Sequence, residues 1–566
     1  MGYRDSCLAV CLACLPFAPL NAQETNPEQL QECAPALPVA TPGYEFLSAR
    51  SELPEFANHQ IGSIRLTRLP IFNEASVAEN TALFRWANEA HFLTRESTIN
   101  QLLLFSTDSA YDARALEESE RLLRKEAYYL DVNIRPTRRC AGVIDIEVIT
   151  KDTWSLTPSL TYDRSGGKNT YSASLRDTNL LGFGKTLSIA VGKDEDRRSR
   201  SISYVDNNLL QTRIRNRTEY IDSDDGSVRR FELALPFYAL DTTRSWKLAL
   251  ENGQRIDAQF LRDTEVSEVL HDFENLSLEF GTSRGLQNGF SRRWRWGLAQ
   301  RQHNFRVSPF LPPPDLFPED RKLVYPYLGY ESIEDNFTTA FNLNQMFRTE
   351  DLHLGSVLRW HMGYAHEALG SDQDRLVLEG EWRDTLHYSA NALWQVSLDW
   401  EGYWNKPRAM EEDVLINLRT HYFRRWSDYQ ALYAAIEVAA ARNLNTHRQL
   451  IHGALNGARA YPNRFQTGDR RWSFTMEHRV YTNLHLANLL HVGGAAFLDI
   501  GRAWQPGVDD GLADSQLVNI GFGLRLASSK AASSRIGHLD IAFPLSNRDD
   551  PAVDSVLLAF TVRSSF

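Results

Sequence analysis

SVLLAFTVRSSF, residues 555–566, decides how the rest of the chain is read. Positions 558, 560, 562, 564 and 566 are Leu, Phe, Val, Ser and Phe, while 559, 561, 563 and 565 are Ala, Thr, Arg and Ser. Side chains alternate across a β-strand, so one face of this segment suits lipid and the other suits water. A chain that stops on an aromatic after such alternation has the form of the closing strand of a membrane barrel. Phe560 and Phe566 are the residues expected to carry that closing signal.

The same pattern runs back to Trp154. TYSASLRDTNLLG (170–182), RSISYVDNNLL (200–210), VRRFELALPFY (228–238) and RWSFTMEHRVY (471–481) are examples of roughly twenty alternating windows separated by polar turns. No helical block interrupts them, and no linker divides them as it would in a chain of several soluble sandwiches. One closed transmembrane barrel fits, because closure pairs every backbone group without water. Sharing the residues from 155 on among about 16 antiparallel strands allots each strand and its turn roughly 26 residues, enough for strands of about 9–11 residues and some long loops.

Composition agrees with this class. The 566 residues carry a net charge of −11, which argues against a nucleic-acid binder. Mean hydropathy is negative, as barrel strands average out to mild polarity. After the N-terminus no stretch of about 18 apolar residues occurs, so a transmembrane helix bundle is excluded. Thirteen Trp, 21 Tyr and 28 Phe suit the aromatic girdles of a barrel. At the N-terminus, MGYRDSCLAVCLACLPFAPLNAQ has an early Arg4 and an apolar core from Cys7 to Leu20, the layout of a secretory signal peptide over residues 1–22. Lipid attachment at Cys14 is disfavoured because Cys11 stands where an aliphatic residue is usual. Of the five cysteines, Cys33 and Cys140 would remain after cleavage, and an even pair in an exported chain points to one disulfide, two free thiols being the alternative.

Residues 23–59, rich in Pro, Glu and Ala, read as a linker. A small α+β unit follows over 60–152. IGSIRLTRLPIF (61–72) reads as a strand. LTRESTINQLLLF (93–105) reads as a helix capped by Thr94, and DARALEESERLLRKE (112–126) as a helix capped by Asp112. YYLDVNIRPTRR and GVIDIEVITKD then read as two strands about a turn at Cys140. The barrel is expected over 153–566.

These segments resemble a known family. The strand-helix-helix-strand-strand unit, with LTRESTINQLLLFSTDSAYDARALEESERLLR closest to the pattern, resembles a POTRA domain. LRDTNLLGFGKTLSIAVG (175–192) resembles the second and third barrel strands of the BamA-like superfamily of outer-membrane assembly and translocation proteins. NGARAYP (456–462) resembles the Arg-Gly-aromatic motif at the tip of that superfamily's long sixth extracellular loop, and TMEHR and FLDIGRAW resemble the two strands after it. The chain departs from the pattern in its single POTRA unit, in the lack of an enzyme domain ahead of residue 60, and in Ala460, where the family loop has Gly. The resemblance implies a bacterial outer-membrane location with the POTRA unit in the periplasm. It also implies a non-enzymatic role: the POTRA sheet edge engages an extended client polypeptide, and the barrel opens near residues 154–164 and 556–566 to insert or pass it. A spacer or gate role for the POTRA unit is the alternative. Implied partners are outer-membrane lipid and lipopolysaccharide, the client, and the barrel-assembly machinery that reads the terminal Phe. No cofactor or metal is implied.

The parity of the strands gives the loop GARAYPNRF (457–465) a role. In RRWSFTMEHRVY, Trp472, Phe474, Met476 and Val480 share one face, and Ser473, Thr475, Glu477 and Arg479 the other. In AAFLDIGRAW, Asp499 opposes Leu498 and Ile500. Glu477 and Asp499 are therefore expected in the lumen, where a loop folded inward brings Arg459 to them, with Tyr461 beside it. A desolvated guanidinium requires such partners, and its planar fork suits carboxylates. The alternative is a solvated Arg459 above a wet pore. Two other functions compete. A passive solute channel would show steady conductance independent of the small unit. GTSRG (281–285) matches the nucleophile-elbow pattern of hydrolases, but an alternating strand, not the required helix, follows Ser283. The 15 His show no metal-binding spacing, and His485 and His491 read as incidental.

Overall fold

The computed structural model describes residues 34–35, 53, 55–56 and 58–563, apart from 77–78, 141, 166, 390, 509–510, 513 and 532–534. The signal segment, most of the linker, Cys33 and Phe566 lie outside the described residues. Cys140 ends its strand and is engaged in a disulfide.

From Leu156–Ser165 to Leu557–Arg563, twenty strands pair antiparallel with their neighbours and close into a barrel. The expectation of about 16 was too low. Strand lengths run from 7 residues at Leu557–Arg563 to 24 at Thr264–Gln287, and several turns are short, as between Leu486 and Leu490. On average, a strand and its turn therefore use less chain than was allotted. Alternation holds along the wall. In Leu517–Ser528, Ile520, Phe522 and Leu524 are exposed while Asn519, Gly521 and Arg525 are buried. Leu276, Leu278 and Phe280 repeat the exposure on Thr264–Gln287. A continuous apolar outer face of this kind belongs in lipid. No described helix is long and apolar enough to cross a membrane.

Ahead of the barrel stands a four-stranded sheet. Gln60–Leu69 forms one edge and pairs parallel to Val143–Asp152, which pairs antiparallel to Tyr129–Cys140, and Ala34–Pro35 adds to the far side at Arg138 and Arg139. Its core joins Ile61, Ile144 and Ile146 to Ile99, Leu116 and Leu123 from two helices, Glu96–Leu102 and Ala113–Arg124. Burying each of these aliphatic side chains contributes about 1.5–3 kcal/mol. Asp112 caps the second helix by accepting from the Arg114 amide. Thr94 does not cap the first, because Arg95 occupies the cap position. Its hydroxyl instead donates to Asp152 Oδ2 at 2.9 Å and accepts from Asn179 Nδ2 at 2.8 Å. A further helix, Ala82–Ala90, was not legible in the sequence; Thr81 caps it.

Two look-alike turns dock this unit on the near rim of the barrel. In each, an aspartate accepts from the amide two residues on: Asp177 from Asn179 at 2.9 Å and Asp206 from Asn208 at 3.0 Å. In the first turn, the Gly182 carbonyl accepts from the Arg95 amide and the Thr98 hydroxyl. Gly182 has φ +81°, and a Cβ there would stand 2.6 Å from the Leu93 carbonyl, so only glycine lets the turn approach this closely. The second turn places Asn207 Nδ2 3.2 Å from both carboxylate oxygens of Glu126, and Arg213 donates to the Leu103 carbonyl.

Burial raises the Glu126 pKa to about 7, against the opposing pull of Asn207 and Lys125. A carboxyl whose folded pKa lies above its unfolded value stabilises the docked state below about pH 4.5, and that contribution is lost as pH rises through about 7. Glu126→Gln should therefore flatten the pH dependence of docking and stabilise it at neutral pH by on the order of 2 kcal/mol. Hydrogen exchange of the 207–213 turn between pH 5 and pH 8 measures this, and an unchanged slope in the variant would refute it.

Candidate functional site

The long loop between Gln430–Arg442 and Arg470–Leu486 turns into the barrel, held at its base by the short ladder of Leu450–His452 with Gln466–Gly468. Gly457 takes the left-handed conformation, φ +98°, that reverses the chain ahead of Arg459. Ala460 has no positive φ and is fully buried, so its backbone does not require glycine.

Arg459 is 5% exposed. Its Nη2 donates to Glu477 Oε1 at 2.7 Å, its Nε lies 3.1 Å from Asp499 Oδ2, and its Nη1 lies 3.7 Å from Asp540 Oδ2. The guanidinium also lies 3.8 Å from the Phe497 ring centroid. Burial disfavours its charge, but Asp499, Glu477 and Asp540 outweigh that and raise its pKa. The carboxylates are themselves held: Asp499 accepts from Thr475 Oγ1 and Asn519 Nδ2, and Glu477 from Arg479 Nε at 3.0 Å. Tyr461 is fully buried; its hydroxyl lies 2.8 Å from the Val518 carbonyl and 2.8 Å from Ser546 Oγ. The structure thus brings Arg459, Glu477 and Asp499 together and seats Tyr461 one strand further round. Sequence reasoning missed Asp540, although its alternation with Leu539 and Ile541 in HLDIAFPL marks it as inward-facing.

A second insertion meets the first. Between Arg321–Glu334 and Val357–Ala365 the chain forms a hairpin, Phe337–Phe341 with Thr349–His353. At its tip, Leu343 and Met346 are buried against Leu393, Phe423, Tyr481 and Ala495 of the barrel strands. Glu350 gathers the tip by accepting from the Leu343, Asn344 and Gln345 amides at 2.9–3.1 Å. Arg479, already paired with Glu477, donates to the Leu343 carbonyl at 3.0 Å. Midway along the hairpin, Arg124 of the small unit grips Asp351 with both arms, Nε at 2.9 Å and Nη2 at 2.6 Å. Polar groups therefore run without a break from the small unit to the long loop.

The remaining sequence-derived residues lie elsewhere. Phe560 sits in the last strand opposite Arg164 of the first. Ser283 lies at a bulge inside Thr264–Gln287, where its hydroxyl donates to the Arg292 carbonyl. His485 and His491 are registered partners with stacked rings near the small-unit rim. Along the opposite wall, a cavity of about 700 Å³ is lined by Lys247, Glu279, Arg295, Arg301 and Tyr327.

Replacing one partner of a buried ion pair strands the other charge and costs about 3–5 kcal/mol. Asp499→Asn should accordingly free the loop, seen as faster protease cleavage within residues 443–469 while the barrel stays folded. Cleavage at the wild-type rate would show that Asp499 does not hold the loop.

No family model matches the chain, and no curated protein does. Among solved structures it is similar to BamA from Haemophilus ducreyi lacking POTRA domains 1–3, at 10% identity and a TM-score of 0.39, over 88% of this chain and 84% of that one. It is similar to CdiB from Escherichia coli at 12% identity and 0.37, over 91% and 92%. It is also similar to the siderophore receptor PirA from Pseudomonas aeruginosa at 10% identity and 0.35, over 75% of each. Likenesses this distant do not choose among functions.

Proposed function

We propose that this chain is an outer-membrane assembly or translocation factor of the BamA-like kind, acting without enzymatic chemistry. Its seam carries the reading. Among the described residues, the first and last strands share one registered pair, Arg164 with Phe560, whereas Leu156–Ser165 pairs along its whole length with Lys168–Asp177. A wall that must open does so where the fewest ladder hydrogen bonds hold it. The lipid-facing neighbourhood of that seam is where an inserting strand would add.

In this reading the unit over 60–152 is a periplasmic POTRA domain. Its edge strand Gln60–Leu69 is bridged by residues 108–111 only at its start. The rest has one strand partner, Val143–Asp152, among the described residues, leaving a ladder of backbone groups to which an extended client can pair. The Arg459 anchor keeps the long loop in the lumen while the seam opens. Lipid and lipopolysaccharide surround the wall, and the barrel-assembly machinery inserts the chain itself. A passive solute channel is the second reading, favoured by the charged cavity of about 700 Å³. A channel requires neither a mobile seam nor the small unit.

Cysteines introduced by Arg164→Cys and Phe560→Cys test the two readings. Oxidised, the pair should abolish insertion or export of the client, with recovery on reduction, while bilayer conductance stays unchanged. Client handling that survives the crosslink refutes the seam. Deleting residues 60–152 should likewise abolish client handling and spare conductance. Outer-membrane and secreted proteomes after depletion identify the client.

A further inference from the structure

Across the ring from the strands that hold Arg459, three successive strands and the long loop bring imidazoles to one spot on the inner wall. Asp257 lies on Arg244–Leu261, His271 on Thr264–Gln287, His303 on Phe290–Val307 and His447 in the loop. Register explains the meeting. Asp257 pairs with Val269 and Arg255 with His271, so Asp257 and His271 are diagonal neighbours on one face. His271 pairs with Phe305 and Phe273 with His303, which makes His303 the next diagonal.

His271 is almost fully buried; its Nδ1 lies 2.7 Å from Asp257 Oδ2, and its Nε2 lies 2.9 Å from His303 Nδ1. The His447 ring centroid lies 5.2 Å from that of His271 and 4.7 Å from that of Phe305. Its Nδ1 is buried and has no hydrogen-bond partner among the described residues. Asp257, His271 and His447 each offer a ligand atom, all within 4.8 Å of one another.

We propose that Asp257, His271 and His447 bind a Zn2+ ion that staples the long loop to the barrel wall. Two imidazole nitrogens and one carboxylate oxygen suit zinc, and poorly suit the all-oxygen preference of Mg2+ or Ca2+. Tetrahedral bonds of about 2.0–2.1 Å need the ligand atoms about 3.3 Å apart, a closure that side-chain rotation supplies. The ion takes the place of the proton shared by His271 Nδ1 and Asp257 Oδ2 and leaves a fourth position for water. The surrounding contacts are those a zinc site requires. With the ion on Nδ1, His271 carries its proton on Nε2 and donates it to His303 Nδ1, 2.9 Å away, while Arg255 Nε donates to the other oxygen of Asp257 at 2.8 Å. The loop lies against this wall: Gln259 donates to the Thr446 carbonyl, and the Phe260 amide donates to Gln449 Oε1 at 2.9 Å. The site is independent of what the barrel passes.

Zn2+ itself is the probe, titrated into the full-length protein in detergent against a chromophoric chelator. Wild type should compete for one ion per chain. His271→Ala and His447→Gln should lose it, and His303→Ala should weaken it by about 10–100-fold. His491→Ala, near the small-unit rim and away from the cluster, should bind as wild type does. Zn2+ should also slow protease cleavage of the loop in wild type but not in His447→Gln, a substitution in a partly exposed loop that leaves the barrel intact. Wild type binding no more tightly than His447→Gln, or protection equal in the two, overturns the proposal.

Discussion

A guanidinium taken out of water must be met by carboxylates, and Arg459 obeys this constraint with three. Much of the architecture answers to it. The loop can bury Arg459 only if it turns inward, and it can turn inward only if the barrel is wide enough to hold it. Twenty strands supply that width. Asp499, which has no exposed surface, also accepts hydrogen bonds from Thr475 and Asn519. Glu477 faces two guanidiniums, which places it at the junction between the loop and the inserted hairpin.

What could be read in the sequence follows from period and distance. Strand alternation has a period of two, so the inward direction of Glu477 and Asp499 was visible in their neighbours, and the same rule could have found Asp540. The strand count was harder to read, because it depends on how tightly each turn closes, and alternation does not show that. Alternation is also blind to where a strand goes. Phe337–Phe341 and Thr349–His353 pair as strands yet leave the wall, and Leu343 and Met346 between them pack against residues far along the chain. Thr94 illustrates a different limit. A threonine before a helix is a good cap by local rules, but Asp152 and Asn179 offered its hydroxyl better partners from outside the segment. The imidazole cluster was beyond reach for the same reason: the register of three strands aligns residues 257, 271 and 303, and the fold of the long loop brings residue 447 to them.

The two docking turns show how a weak-looking motif acquires meaning. LRDTNLLGFG suggests a family by its order of residues, but its physical content is a close approach. Asp177 shapes the turn, and Gly182 lets its backbone lie against the Leu93 carbonyl and the helix that follows. The second turn repeats the aspartate without the glycine, and Glu126 and Leu103 engage it through the side chains of Asn207 and Arg213 instead.

The inserted hairpin links the two ends of the barrel through a series of contacts. Arg124 holds Asp351, Glu350 holds the Leu343 amide, Arg479 holds the Leu343 carbonyl, and Glu477 holds both Arg479 and Arg459. Binding linkage is reciprocal. If a molecule arriving at one mouth alters the affinity of the other mouth for its ligand, the second ligand must alter the affinity for the first by the same factor. An event at the small unit and an event at the loop can then each report on the other, although neither set of residues touches both.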